Sequence, residues 1–578
     1  MSKDRLDPAY LRQQIVGVDS TFETPFGERL MVYCDYTASG RCLRFVESYL
    51  QSLQRVYANT HTEDDITGRS MSQLLHEAEQ AIKDSVNAGP QGRIIAVGTG
   101  ATGAIDKLQQ IVGVALAPAT RKNIYDMLDK LDSEFCCESF RTLAEDKQPV
   151  VFVGPYEHHS NEISWRQSLV TTVEVRLDPG GHIDLAHLEE LLKEPVYEGR
   201  LKIGSFSAAS NVTGIRTDVR AVAALLHRHD ALACFDFAAC APYVEKDMNP
   251  VPQGDEDPSI DAIFVSPHKF LGGPGSSGVL VYNERIYHRE LPPSVSAGGT
   301  VDYVGMTDQD FIARIEEREK AGTPGVLQTL KAGLVFQIKD RVGVDVIHAR
   351  ELEHMRRALN AWADEDGMEI LGNPDPGSRV GIISFNIRDP HGKYLHHKFV
   401  TALLNDLFGI QSRAGCSCAG PYVHRLLEID NDKSERYRHV VQEGYCGMKP
   451  GWCRVGLHWV MDEAEADYVI AAVRFVAHSG HLFLGEYDFD LCSGTWTHKR
   501  ASTSLPEFSL DQALSVDEGE PAMLSLPLRT QLYRHYMNEA ERWATSLRRQ
   551  VGEVPETLEG ELGELQFFSL PVGNSPKH

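Results

Sequence analysis

A lysine placed directly after an apolar run and just before a glycine-rich turn is the first position in this 578-residue chain whose type and context point to chemistry. In Val265-Ser266-Pro267-His268-Lys269-Phe270-Leu271-Gly272-Gly273-Pro274-Gly275 the run reads as a buried strand, and the turn lets backbone approach a ligand closely. Partial desolvation beside other cationic groups lowers an ammonium pKa, and the neutral amine can form a Schiff base with an aldehyde. A surface lysine in a loop is the plain alternative; the glycines and His268 weigh against it. A second position is Asp236, which ends the apolar run Cys234-Phe235. A buried aspartate is costly unless it faces a cation, such as the pyridinium nitrogen of an electron-sink cofactor. Capping of the following segment explains the same residue equally well. Third is Val97-Gly98-Thr99-Gly100-Ala101-Thr102-Gly103-Ala104, a strand, a glycine loop and a helix start, whose free N–H groups make an anion site. It satisfies GxGxxG, yet Pro118 to Lys122 offers no acidic residue at the distance a dinucleotide fold requires. A single phosphate, with Ala101 and Thr102 as donors, is the better expectation.

These residues need a scaffold that brings strand ends together. From about residue 30 to 280, short β-branched runs alternate with helical patterns, the signature of a largely parallel sheet with crossover helices. Strands are expected at Arg93 to Val97, Val150 to Val153, Val170 to Val175, Leu201 to Ser205, Leu232 to Phe235, Ala262 to Val265 and Gly278 to Val281. Helices are expected at Leu185 to Leu192 and Val219 to His227. After Gly325 longer helices take over, notably Val342 to Trp362, with a strand at Gly381 to Ile387 and helices at Lys398 to Leu407 and Ala464 to Val476. The expected class is α/β: an N-terminal segment 1–29, a large domain 30–325, a smaller α+β domain 326–480 and an extension 481–578. In that extension Ser502 to Pro521 reads as a linker before an amphipathic helix, Leu526 to Val551.

Composition narrows the function classes. Hydrophobic residues make up 42% and charged residues 24%, as in ordinary globular proteins. The net charge of −25 disfavours nucleic acid and anionic membrane as partners. No secretory or transit signal is read at Met1 to Tyr10, and no run approaches 18 uncharged apolar residues, so a cytoplasmic location is expected. Eleven scattered cysteines then read as thiols rather than disulfides. His396-His397 is better read as a packed pair than as a metal site, Cys416-Ser417-Cys418 lacks the further ligands zinc needs, and no metal is expected.

Lys269 in Ser-Pro-His-Lys, Asp236 and the Gly100-Ala101-Thr102 loop together resemble the fold-type I pyridoxal-phosphate enzymes of the class V aminotransferase and cysteine desulfurase family. Asp35-Tyr36-Thr37-Ala38-Ser39, Asn59-Thr60-His61, Glu157-His158-His159-Ser160-Asn161, Ser210-Asn211-Val212-Thr213-Gly214, Gly298-Gly299-Thr300 and Ala321-Gly322-Thr323-Pro324 are similar to further family segments, so the likeness spans roughly residues 30 to 480. The resemblance implies a mainly parallel seven-stranded sheet with a smaller C-terminal domain. It implies Lys269 as Schiff-base lysine and catalytic base, Asp236 as pyridinium partner and His158 stacked on the ring. Asn211 would lie near the ring hydroxyl or the substrate, and Ala38 would contact substrate. Ala101, Thr102, Ser266 and His268 would hold the phosphate, and Thr300 would reach the phosphate of a second subunit, since family members are usually homodimers. Ala239 stands where desulfurases commonly carry glutamine, so that bond to the ring hydroxyl is missing or comes from another residue.

Ser412-Arg413-Ala414-Gly415-Cys416-Ser417-Cys418-Ala419-Gly420-Pro421 resembles the loop that carries the sulfur-accepting cysteine in one desulfurase and selenocysteine-lyase group. By register that cysteine is Cys418, while Cys416 is a second thiol, a resolving partner or inert. A thiolate there could take sulfur from a cysteine adduct and become a persulfide. Trp452-Cys453-Arg454-Val455-Gly456 is similar to the strand whose arginine grips the substrate α-carboxylate through a bidentate fork. The reaction implied is L-cysteine desulfuration or a selenocysteine-lyase-like counterpart, with a sulfur-acceptor protein as partner. The same scaffold supports β-elimination, aminotransfer and epimerisation, and a catalytically silent binding scaffold is the non-enzymatic alternative.

Overall fold

The computed structural model describes residues 5–60, 64–135, 145–252, 254–501, 523–548 and 556–570. His61 and the expected linker Ser502 to Pro521 lie outside the described residues. The chain divides into two compact units, one of residues 1–6 and 37–348, the other of residues 7–36 and 349–578.

In the first unit seven strands form one sheet: β1 (Gly92–Val97), β2 (Val150–Val153), β3 (Thr171–Glu174), β4 (Lys202–Ser207), β5 (Ala231–Asp236), β6 (Ala262–Val265) and β7 (Gly278–Asn283), in the order β1-β7-β6-β5-β4-β2-β3. The run β6-β5-β4-β2-β3 is parallel, and β7 is antiparallel to both β1 and β6. All four residues of β2 and of β6 are buried, as expected of strands covered on both faces. The flanking helices include α1 (Ile66–Ser85), α2 (Gly100–Ile111), α3 (Leu185–Leu192), α4 (Val219–Arg228) and α5 (Val326–Val342). Their starts follow from local chemistry. The Asp184 carboxylate accepts from His187 N at the head of α3, and Asp218 accepts from Ala221 N at the head of α4. Gly333 lets α5 lie against α1, because a Cβ there would stand 2.7 Å from that of Ala78.

The second unit holds an antiparallel sheet of β8 (Met368–Ile370), β9 (Ile382–Ile387), β10 (Arg413–Gly415) and β11 (Trp452–Gly456), ordered β8-β9-β11-β10. Helices α6 (His397–Phe408) and α7 (Glu463–Ser479) belong to it, and Val32–Tyr33 pairs in parallel with Ile410–Gln411. Glu463–Glu486 is long and apolar enough to cross a membrane by length and composition, but 72% of its apolar window is buried inside the unit, as in a core helix. His396 and His397 are buried and stacked 4.3 Å apart, and His396 Nε2 donates to Gly447 O at 3.1 Å.

Helix α8 (Leu526–Arg548) packs on this unit through Tyr533, which stacks on Tyr468 at 4.1 Å. Arg529, 3% exposed, reaches Asp19, Asp462 and Glu465, and Arg12 bonds Asp19 and Glu465 from the other side. Two guanidinium groups thus face three carboxylates at a largely buried junction. Arg529→Ala is expected to destabilise this unit by about 3 kcal/mol, since it leaves carboxylate charge uncompensated. Urea titration should show a lower midpoint, and an unchanged midpoint would mean that the junction contributes nothing net.

Candidate active site

The carboxyl ends of the central parallel strands bring most of the first-unit candidates together. Strand β6 runs into Ser266 and then a 3-10 turn, Pro267–Lys269, so Lys269 emerges half-buried beside β5. Asp236 is the last residue of β5, in register with Ser207 of β4 and Phe264 of β6. It is 4% exposed, and Ala238 N donates to its Oδ1 at 2.8 Å. Burial raises the Asp236 carboxyl pKa, while the Ala238 N–H and the charge of Lys269 pull it down. The backbone around Lys269 tolerates no bulk. A Cβ on Gly40 would lie 1.9 Å from Phe270 O, and one on Gly273 would lie 2.0 Å from Pro267 O. Gly40 N donates to His268 O at 2.9 Å, and the Ser39 hydroxyl approaches the same oxygen, which brings Ala38 to this turn.

The loop expected to hold an anion lies where α2 begins. Gly100 has φ +60, and a Cβ on it would stand 2.8 Å from Ser266 Oγ and 3.6 Å from a His268 ring carbon. Ala101 N donates to Ser266 Oγ at 2.9 Å. Ala101, Ser266 and His268 therefore share one corner. The third side extends through Thr102, whose hydroxyl shares a 2.7 Å hydrogen bond with Ser160, and Ser160 lies 3.0 Å from His158 Nδ1. Burial and the Lys269 charge lower the His268 pKa to about 4, so its ring is neutral at physiological pH. Asn211 is buried in the turn Ser210–Gly214 that follows β4. Thr300 Oγ1 donates to Ala297 O at 2.7 Å within its own turn.

These residues fit a cofactor with an aldehyde, a ring nitrogen and a phosphate. Asp236 is an acid whose burial calls for a cation. At the opposite end Gly98 opens onto space, with nothing within 4 Å of a Cβ built there, beside the N-terminal N–H groups of α2.

Glu157, quoted above only as a neighbour of His158, proves to organise this end of the sheet. It is 1% exposed and accepts from Gly154 N, Ser207 N, Asn161 Nδ2 and the Ser207 hydroxyl at 2.7 to 3.2 Å. Burial pushes its pKa up to about 8 despite those donors, and the Asp236 charge adds to the rise.

The other two candidates, Arg454 and Cys418, belong to the second unit. Arg454 on β11 is 4% exposed and its Nη2 donates to Asp35 Oδ1 at 3.1 Å. Arg413 on β10 donates to the other oxygen of the same carboxylate at 2.9 Å. Asp35 therefore aligns two guanidinium groups, a role its motif position did not reveal. Cys418 is exposed in the turn that follows β10.

A model of the aminotransferase class-V family matches residues 138–469. A probable cysteine desulfurase of Halalkalibacterium halodurans is 30% identical over 305 residues, 52% of this chain and 69% of that one. A probable cysteine desulfurase of Mycobacterium leprae is 27% identical over 68% of this chain and 86% of its own. Among solved structures, a cysteine desulfurase from Escherichia coli superposes with TM-score 0.59 at 20% identity, covering 81% of this chain and 98% of that one. One from Thermococcus onnurineus superposes with TM-score 0.59 at 18% identity, covering 78% and 95%.

The raised pKa of Glu157 has a signed consequence. Between its ordinary 4.5 and about 8 the folded chain keeps a proton that the unfolded chain has released. This group therefore contributes a loss of stability as pH rises through that window. Glu157→Gln removes it, so wild type should lose stability relative to the variant as pH goes from about 5 to about 8. Parallel thermal-melt curves for the two proteins across that range would show that Glu157 is not held neutral.

Proposed function

The chain belongs to the class V aminotransferase family, and from that premise we propose that it is a pyridoxal-phosphate-dependent cysteine desulfurase that moves the sulfur of L-cysteine to Cys418 and releases L-alanine. The family is pyridoxal-phosphate dependent. The observation that carries the reading is the pairing of Lys269 and buried Asp236 on adjacent strand ends, in a chain that also presents an exposed Cys418 on the family's sulfur-accepting stretch.

Pyridoxal phosphate supplies, when bound, an aldehyde for the amino group and a ring that stores negative charge from Cα. Asp236 would hold a proton at the ring nitrogen, and His158 would lie against the ring. The Ala101 and Thr102 N–H groups at the head of α2, with Ser266 and the neutral His268, bind the phosphate. Asn211 faces the ring hydroxyl or the substrate. Arg454 grips the α-carboxylate of the amino acid, and Ala38 lines its side. The amine of Lys269 removes the Cα proton. The Cys418 thiolate attacks the substrate sulfur, the Cβ–S bond breaks, and Cys418 keeps the sulfur as a persulfide while alanine leaves. A homodimer, a cytoplasmic location and a sulfur-acceptor protein complete the proposal; Thr300, fully buried with its hydroxyl donating to Ala297 O, does not offer that hydroxyl to a second subunit.

Incubation with L-cysteine should yield alanine in an amount equal to the sulfur taken from the substrate, held on the protein or released as sulfide; pyruvate with sulfide would instead indicate β-elimination and sink the reading. Cys418→Ala should abolish both products. Lys269→Ala should lower kcat by about 10²- to 10⁴-fold, as for loss of a general base. Arg454→Lys, which keeps charge but loses the fork, should act mainly on KM for the amino acid.

A further inference from the structure

Two thiols, not one, occupy the loop after β10. Cys416 and Cys418 are both exposed and flank Ser417. Ala419 N donates to Cys416 O at 3.1 Å and closes a four-residue turn. Its two central residues have positive φ, 52 for Ser417 and 58 for Cys418, which is the backbone of a type I′ turn. Such positions normally take glycine or asparagine, and here both carry side chains. Trp452 Nε1 donates to Ser417 Oγ at 3.2 Å and anchors the turn to β11.

That geometry determines how far apart the thiols can be. One helical residue of either hand, with its 1.5 Å rise and 2.3 Å radius, puts the Cα atoms on its two sides about 5.4 Å apart. A disulfide bridges Cα atoms about 4.4 to 6.8 Å apart. Two of the other thiols of this unit are less suited. Cys34 and Cys453 are buried, and burial pushes the Cys453 thiol up to about 11.

We propose that Cys416 is a resolving thiol, so that this loop releases sulfur as hydrosulfide and cycles through a Cys416–Cys418 disulfide. The proposal rests on the desulfurase reading of Cys418. The Cys416 thiolate attacks Sγ of the Cys418 persulfide, the Cys416–Cys418 S–S bond forms, the bond to the outer sulfur breaks, and HS⁻ departs. The two protein thiols together supply the two electrons that turn L-cysteine into alanine and sulfide. Restoring both thiols takes two electrons from a dithiol reductant, small or protein-borne. A disulfide closed over a single intervening residue is strained and therefore readily reduced.

The test uses the full chain loaded with cofactor, fully reduced and then freed of reductant, and mixed with L-cysteine. Alanine, free sulfide and the mass of the tryptic peptide 414–425, which carries only these two cysteines, are read together. Wild type should form one alanine and one sulfide per chain and stop, with the peptide two hydrogens lighter; added dithiol should restart turnover. Cys416→Ser should form the first alanine at an unchanged rate but keep the sulfur, with the peptide one sulfur heavier. A wild-type peptide that retains the extra sulfur, or a Cys416→Ser protein that releases sulfide as wild type does, overturns the resolving role while leaving desulfuration intact. Absence of alanine from wild type, or its undiminished formation by Cys418→Ser, overturns the desulfurase reading itself.

Discussion

A carboxylate taken out of water must meet a positive charge or surrender its own, and Asp236 imposes that condition on the first unit. It stands at the end of the central strand, paired in register with Ser207 on one side and Phe264 on the other. Parallel neighbours end at the same edge, so the residues that follow them arrive there too. Lys269 comes from the strand on one side, and the turn carrying Asn211 from the strand on the other. Open α/β sheets place ligands at the carboxyl ends of their strands for this reason. The N–H end of helix α2 then supplies positive potential that favours an anion.

Close backbone approach is the second constraint. The turn carrying Lys269 is packed so tightly by Gly40 and Gly273 that a single added carbon at either would collide with a carbonyl. That tightness holds the half-buried lysine to one path. The loop of Cys416 and Cys418 shows the opposite solution. There the backbone takes the left-handed shape glycine favours, yet keeps side chains, and a tryptophan hydrogen bond secures it.

The strands were the most legible part of the fold. Val150–Val153 and Ala262–Val265 coincide with the expected runs, and the other five strands of the large sheet differ at their ends by one or two residues. Buried strands on two-sided sheets write continuous β-branched runs, which leave little doubt. Helix Ile66–Ser85 was not read from its pattern, because its apolar positions are interrupted by polar residues that also lie inside, Ser72 and Glu79 among them. Residues 7–36 belong with the second unit through long-range pairing of Val32–Tyr33 to Ile410–Gln411, which local sequence does not encode.

For the site, residue type and spacing singled out candidates wherever chemistry requires a particular group: an amine beside glycines at Lys269, an acid at the end of an apolar strand, N–H groups at a helix start, and thiols on a loop. These determined the family and the cofactor, because few other residues can do that work. Only tertiary structure decided the rest. Glu157 gained its raised pKa from donors brought by Gly154, Asn161 and Ser207, and Asp35 met Arg413 and Arg454 hundreds of residues away. Burial and long-range pairing set electrostatic environment, and neither quantity exists until the chain has folded.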